Sequence, residues 1–125
     1  MYFCAGFEKQ EQATINFMVS NALATIEAAR SESVPVVVLT SSGGSTNPIG
    51  LTYETPKSET LHWSNPEAQL EAKKFSPAAK TLMEINSLKA VGRNQQNEII
   101  DESLSSQSPR LVIMNPNLIL GPQLQ

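Results

Sequence analysis

Val34-Pro-Val-Val-Val-Leu-Thr40, followed at once by Ser41-Ser-Gly-Gly44, is a continuous β-branched run that stops on a Ser/Gly turn. Such a run predicts a strand buried on both faces, the mark of a parallel sheet covered by helices. Pro35 fits only near the first residue of that strand, because it brings no N–H to the ladder. Upstream, Ile15, Met18, Val19, Ala22, Leu23, Ile26 and Ala29 recur at intervals of three and four, which predicts a helix over 10–30. Glu8 and Glu11 near its start and Arg30 at its end suit the helix dipole. Before it, Met1 to Ala5 is a short apolar run closed by Gly6 and predicts a second buried strand.

Downstream, 41–50 is a loop rich in Ser, Gly, Asn and Pro, and 51–75 has no clear period. A second helix is predicted from Pro77, with Leu82, Ile85 and Leu88 on one side. Gly92 to Gln96 interrupts that stripe, which resumes at Ile99, Ile100 and Leu104; a bent helix and two separate helices both fit. Leu111 to Met114 predicts a third strand, ended by Asn115-Pro116. The order strand, helix, strand, long loop, helix, strand describes two successive βαβ crossovers. The predicted fold is α/β, a three-stranded parallel sheet with right-handed connections and flanking helices. In such sheets ligands gather beyond the carboxyl ends of the strands. Those ends are Ala5-Gly6, Ser41 to Gly44 and Asn115 to Asn117.

Bulk properties narrow the function classes. A chain of 125 residues with 40% hydrophobic and 17% charged residues suits one globular domain. A net charge of −3 with scattered lysines and arginines gives no reason to expect nucleic acid or anionic lipid. Cys4 is the single cysteine, which fits a reducing compartment. Met1 to Phe7 is too short, and lacks the preceding basic residues, for a signal peptide, and no stretch is long enough to cross a bilayer. The expected location is cytoplasmic, without a membrane partner. His62 beside Trp63 has no second ligand residue nearby for a metal, and Glu98, Asp101 and Glu102 read as a solvated acidic face.

At the strand ends the sequence resembles the extended short-chain dehydrogenase/reductases, of the NAD-dependent epimerase/dehydratase kind and most like their dihydroflavonol reductase and cinnamoyl-CoA reductase branch. Val36-Val-Val-Leu-Thr-Ser-Ser-Gly-Gly44 looks like the family's fifth strand and its serine-bearing turn. Glu59-Thr-Leu-His-Trp-Ser-Asn-Pro-Glu67 is similar to the loop between that strand and the catalytic tyrosine. Lys80-Thr-Leu-Met-Glu84 looks like the start of the active-site helix, and Leu111 to Pro122 is similar to the sixth strand with its Asn-Pro and Gly-Pro pairs. The resemblance implies a partial Rossmann-like fold, the strands being the fourth, fifth and sixth of the parent sheet, with NADP or NAD as cofactor. It puts Ser42 on the serine that binds the substrate carbonyl and Lys80 on the lysine that binds the nicotinamide ribose. Pro116, Asn117 and Leu118 would face the nicotinamide, and Ala5 and Gly6 would approach the cofactor from the fourth strand.

Two departures weigh on activity. The family's tyrosine position is occupied by Ser76, four residues before Lys80. A phenol with a pKa near 10 can be brought toward the working range by a neighbouring ammonium; an aliphatic hydroxyl is too weak an acid for that role. The six glycines, at 6, 43, 44, 50, 92 and 121, nowhere take the spacing of a pyrophosphate-binding turn. Relative to the family, Met1 falls where the fourth strand begins, so three strands and their helices have no counterpart. The expectation is a truncated or degenerate reductase relative without independent turnover, acting as a binding or interaction module. Part of an active NADP-dependent carbonyl reductase completed by a separate N-terminal half, and a small-molecule binder that keeps the pocket floor, are the alternatives. A bare apolar strand edge also predicts a homo-oligomer or a complementing chain.

Overall fold

The computed structural model describes residues 11–48, 51–52, 54 and 56–121. Helix α1 (Glu11–Ser31) leads to strand β1 (Val36–Thr40), then a 3-10 turn (Gly43–Thr46), helix α2 (Pro66–Glu71), helix α3 (Phe75–Ala90), the one-turn helix α4 (Glu102–Ser105) and strand β2 (Arg110–Met114). β1 and β2 pair in parallel, with Val36 opposite Arg110 and Thr40 opposite Met114. Among the described residues the structure is mixed helix and strand with a parallel two-stranded sheet, compatible with α/β, and the second predicted helix begins two residues earlier than Pro77. The expected strand at Met1 to Ala5, with the proposed Ala5-Gly6 site, lies outside the described residues.

α1 packs along α3, burying Ile15, Ala22, Ile26 and Ala29 of the predicted stripe. Burying a large aliphatic such as Ile26 contributes roughly 1.5–3 kcal/mol, so this helix pair carries much of the core. α3 approaches closely because Ala78 and Ala79 are its buried residues in the first turn and a half. Its buried face also holds Thr81, Glu84 and Ser87, a polar row that the Leu82, Ile85, Leu88 stripe does not predict. Arg30 ties the pair at the far end: one guanidinium nitrogen donates to the Ala90 carbonyl at 2.6 Å, the other pairs with Glu27 at 3.0 Å.

The three longer helices end alike. The backbone N–H groups of Ser33 and Val34 donate to Arg30 and Ala29, those of Lys73 and Lys74 to Leu70 and Gln69, and those of Gly92 and Arg93 to Lys89 and Leu88. Each is a Schellman closure, with Ser33, Lys73 or Gly92 in the left-handed conformation at φ 55, 56 and 73°. This resolves the ambiguity after Leu88. α3 stops at Gly92, where a Cβ would meet backbone of Asp101 and Ser105, and a tight turn through Asn97 leads to α4.

The expectation that the first β-branched run is buried on both faces is corrected. Val37 and Leu39 are half-buried, as are Leu111 and Ile113, whereas Val38 and Met114 on the opposite face are 57% and 56% exposed. α1 packs against β1, α3 against β2, and the two helices against each other, so both cover the face of Val37, Leu39, Leu111 and Ile113. The other side is left open among the described residues. The stretch 51–75, expected to be irregular, contains α2, capped by the Asn65 side chain accepting from the Ala68 N–H at 3.0 Å.

Candidate functional site

At the carboxyl end of β1 the chain turns sharply through Ser41 to Thr46. The Ser42 side chain accepts from the Gly44 N–H at 3.2 Å and so caps the 3-10 turn. Gly43 is needed here, since a Cβ would run into the Asn117 side-chain oxygen. Its N–H donates to the Pro116 carbonyl at 2.9 Å, and Ser41 N–H to the Met114 carbonyl at 2.8 Å. The two strand-end loops are thus one unit held by backbone hydrogen bonds.

Other elements strap the same turn. The Gly44 carbonyl accepts from Ser64 Oγ at 2.7 Å and from Gln69 Nε2 at 2.9 Å. Thr81 Oγ1 donates to Gln69 Oε1 at 2.8 Å, which links the turn through α2 to α3. Lys57 Nζ donates to Asn47 Oδ1 at 2.6 Å and Thr46 Oγ1 at 2.9 Å, pinning the outer loop. In that loop the Ser58 N–H donates to His62 Nδ1 at 2.7 Å, which places the imidazole proton of the neutral ring on Nε2. No group of three His, Cys, Asp or Glu side chains suited to a metal occurs among the described residues.

Of the residues expected at the site, Ser42 sits half-buried on the turn. Lys80 reaches the end of β1 from the second turn of α3, its Nζ donating to the Thr40 carbonyl at 3.4 Å. Pro116 lies against the turn with its carbonyl already accepting, while Asn117 and Leu118 are exposed. Ser76 stands exposed in the first turn of α3. Both Ser42 and Lys80 keep donor hydrogens beyond these contacts, and such donors can hold a carbonyl or a ribose hydroxyl. No described side chain at position 76 supplies an acid.

Glu84 was not expected. It is fully buried on α3, and its Oε1 accepts from Asn115 Nδ2 at 2.7 Å. Burial pushes this carboxyl above the usual 4.5, opposed by the Ser41 and Ser45 hydroxyls, by Asn115 and by the Lys80 ammonium. The serine hydroxyls act on it through proximity, for Oε2 itself meets no hydrogen-bond geometry. The spacing Thr81, Glu84, Ser87 inside an otherwise apolar helix face was the available signal for a polar seam.

A cleft of about 250 Å³ opens at the opposite end of the sheet, between Pro35, Arg93, Arg110 and the segment after α4. It is remote from Ser42 and Lys80, so the strand-end unit is defined by its donors and not by that cleft. No helix among the described residues is long and apolar enough to cross a membrane. Compared with protein-family models, with curated proteins and with solved structures, the chain matches none.

Proposed function

We propose that the chain is a degenerate relative of an NAD(P)-dependent carbonyl reductase of the short-chain dehydrogenase/reductase type. In this reading the 125 residues have no turnover of their own and serve as a binding or interaction module. Ser42 and Lys80 are the substrate- and ribose-facing donors, and Pro116, Asn117 and Leu118 line the nicotinamide side. The third strand that the same reading expects at Met1 to Ala5, with Ala5 and Gly6 as cofactor contacts, lies outside the described residues. The observation that supports this most is the placement of Lys80 on the carboxyl end of β1, one turn of helix after an exposed serine. Without a phenol at position 76, hydride delivery to a carbonyl leaves an alkoxide with no positioned proton donor.

A fluorescence or calorimetric titration with NADPH tests the reading. Weak, millimolar binding is expected, because the sequence holds no Gly-rich turn to seat a pyrophosphate on helix N-terminal N–H groups. Micromolar binding by the chain alone would contradict it. The second reading, one part of an active NADP-dependent oxidoreductase acting on an aldehyde, ketone or CoA thioester, is favoured by the same Lys80 contact. It requires turnover to arise when a separately produced Gly-rich N-terminal half is added. The sheet face left open among the described residues favours a second copy or such a complementing chain as partner, in a cytoplasmic setting.

A further inference from the structure

Asn115 joins two elements through one amide group. Its Nδ2 donates to Glu84 Oε1 at 2.7 Å and to the Ser42 carbonyl at 3.0 Å, so both amide protons are committed. The Ser42 carbonyl can only accept and does not tolerate the amide oxygen in place of the nitrogen, which fixes the orientation of the group. Glu84 is 0% exposed, its Oε2 has no hydrogen-bond partner, and Ser87 Oγ one turn later is buried and unpartnered too. The Ser41 and Ser45 hydroxyls, 3.4 Å apart, face the carboxyl from the turn.

The charged surroundings are sparse. Lys80, one turn earlier on α3, is the charged group acting on the carboxyl. α1 presents an apolar buried face of Ile15, Ala22, Ile26 and Ala29. α2 directs Gln69 to the turn and leaves Glu67 and Glu71 exposed, and β2 contributes the uncharged Asn115. A change of charge on Glu84 is therefore felt mainly by Asn115, Ser41, Ser45 and Lys80.

We propose that Glu84 is a positioning residue for the strand-end site: through the Asn115 amide it fixes the Ser42 carbonyl, and with it the Ser42 hydroxyl, in a way that depends on its own protonation. A hydrogen bond to a carboxylate is shorter and stronger than one to the neutral acid, so ionisation tightens the Asn115 link while leaving the second oxygen unsolvated. The proposal deepens the reading of Ser42 as a binding donor and rests on it.

The test is nuclear magnetic resonance of the full chain over a pH series. The Glu84 side-chain carbon, the Asn115 side-chain amide and the Gly43 and Gly44 N–H signals are expected to share one midpoint above 4.5. Glu84→Gln, nearly the same shape, should stay folded and abolish that shared transition. Asn115→Ala should uncouple Gly43 and Gly44 while Glu84 still titrates, and Ser87→Ala should leave the coupling intact. A role confined to packing would not make the glycine signals follow the carboxyl. The proposal is overturned by glycine signals that ignore Glu84 in the unsubstituted chain, by coupling that survives in folded Asn115→Ala, or by a carboxyl that never titrates while the chain is folded. Millimolar NADPH in the same sample is a separate arm. Absence of shifts at Ser42 and Lys80 would count against the binding reading alone, since the titration is read without ligand.

Discussion

Ser42 and Lys80 differ from Glu84 in how they could be recognised. A serine in a Ser/Gly turn and a lysine early in a helix are common, and only their order along the chain suggested a site. Glu84, four residues after Lys80, looks in sequence like half of a solvated i,i+4 pair. Its burial depends on the turn after β1 and on Asn115 of the following loop, which lie 39 to 43 and 31 residues away along the chain and meet only in the fold. The consequence is a specific pH dependence. Because burial raises the Glu84 carboxyl, the folded state holds that proton more tightly than the unfolded chain. Its contribution to stability is complete below the unfolded value of 4.5 and is lost as the pH rises through the folded value. Urea midpoints of the unsubstituted chain should fall over that range, and Glu84→Gln should remove this part of the slope. Above the folded value the amide variant should be the more stable by on the order of 1–3 kcal/mol, since its N–H can donate where the bare oxygen could not be solvated. A Glu84→Gln variant less stable than the parent at pH 8 would refute the assignment.

At the scale of elements, periodicity identified α1 and α3 and the apolar runs identified the two described strands, each starting within one or two residues of its expected position. α1 was legible because its stripe meets chiefly one partner, α3, with a smaller contact to β1. α3 was only partly so, because it serves α1 with one flank and the polar turn with another; Leu82 and Ile85 end up half-buried while Ala78, Ala79 and Thr81 are covered. α2 was invisible, being six residues long and held by a cap and by Gln69 rather than by an apolar face. The helix ends carry the sharper predictions. Ser33 occupies a left-handed position at φ 55°, where glycine is unstrained. Ser33→Gly should therefore raise stability by about 0.5–1 kcal/mol, relief of strain being partly offset by a more flexible unfolded chain. Gly92→Ala should lower it by about 2 kcal/mol or more, because a side chain there combines a positive φ with contact against the backbone of Asp101 and Ser105. Thermal or denaturant melts of the two variants, moving in opposite directions, check the shared closure; equal and small effects would dismiss it.

Among the described residues the molecule is lopsided. Both long helices lie on one side of a two-stranded sheet, and the other side shows Val36, Val38, Val112 and Met114 to solvent. Leu118, Ile119 and Leu120, a few residues after β2, are exposed as well. Buried on one face only among the described residues, the β-branched run therefore did not foretell how many layers cover it: composition reports suitability for burial, while tertiary packing decides where the helices go. Apolar surface of this kind drives association. Light scattering on the purified chain should give a mass above 13.6 kDa at micromolar concentration. Lysine at both Val38 and Val112, register partners at the centre of the face, should shift it toward the monomer without a loss of helix. A parent chain that is monomeric at that concentration would remove the idea.

Function at this scale comes down to whether the strand-end unit, with its donors but no acid at position 76, performs a reaction. The direct measurement incubates the purified chain with NADPH carrying deuterium at the transferable position and a set of aldehydes, ketones and CoA thioesters, and looks for label in the product alcohol or aldehyde. No labelled product above the rate without protein is the predicted result. Enzymatic transfer of deuterium by these 125 residues alone would contradict the account.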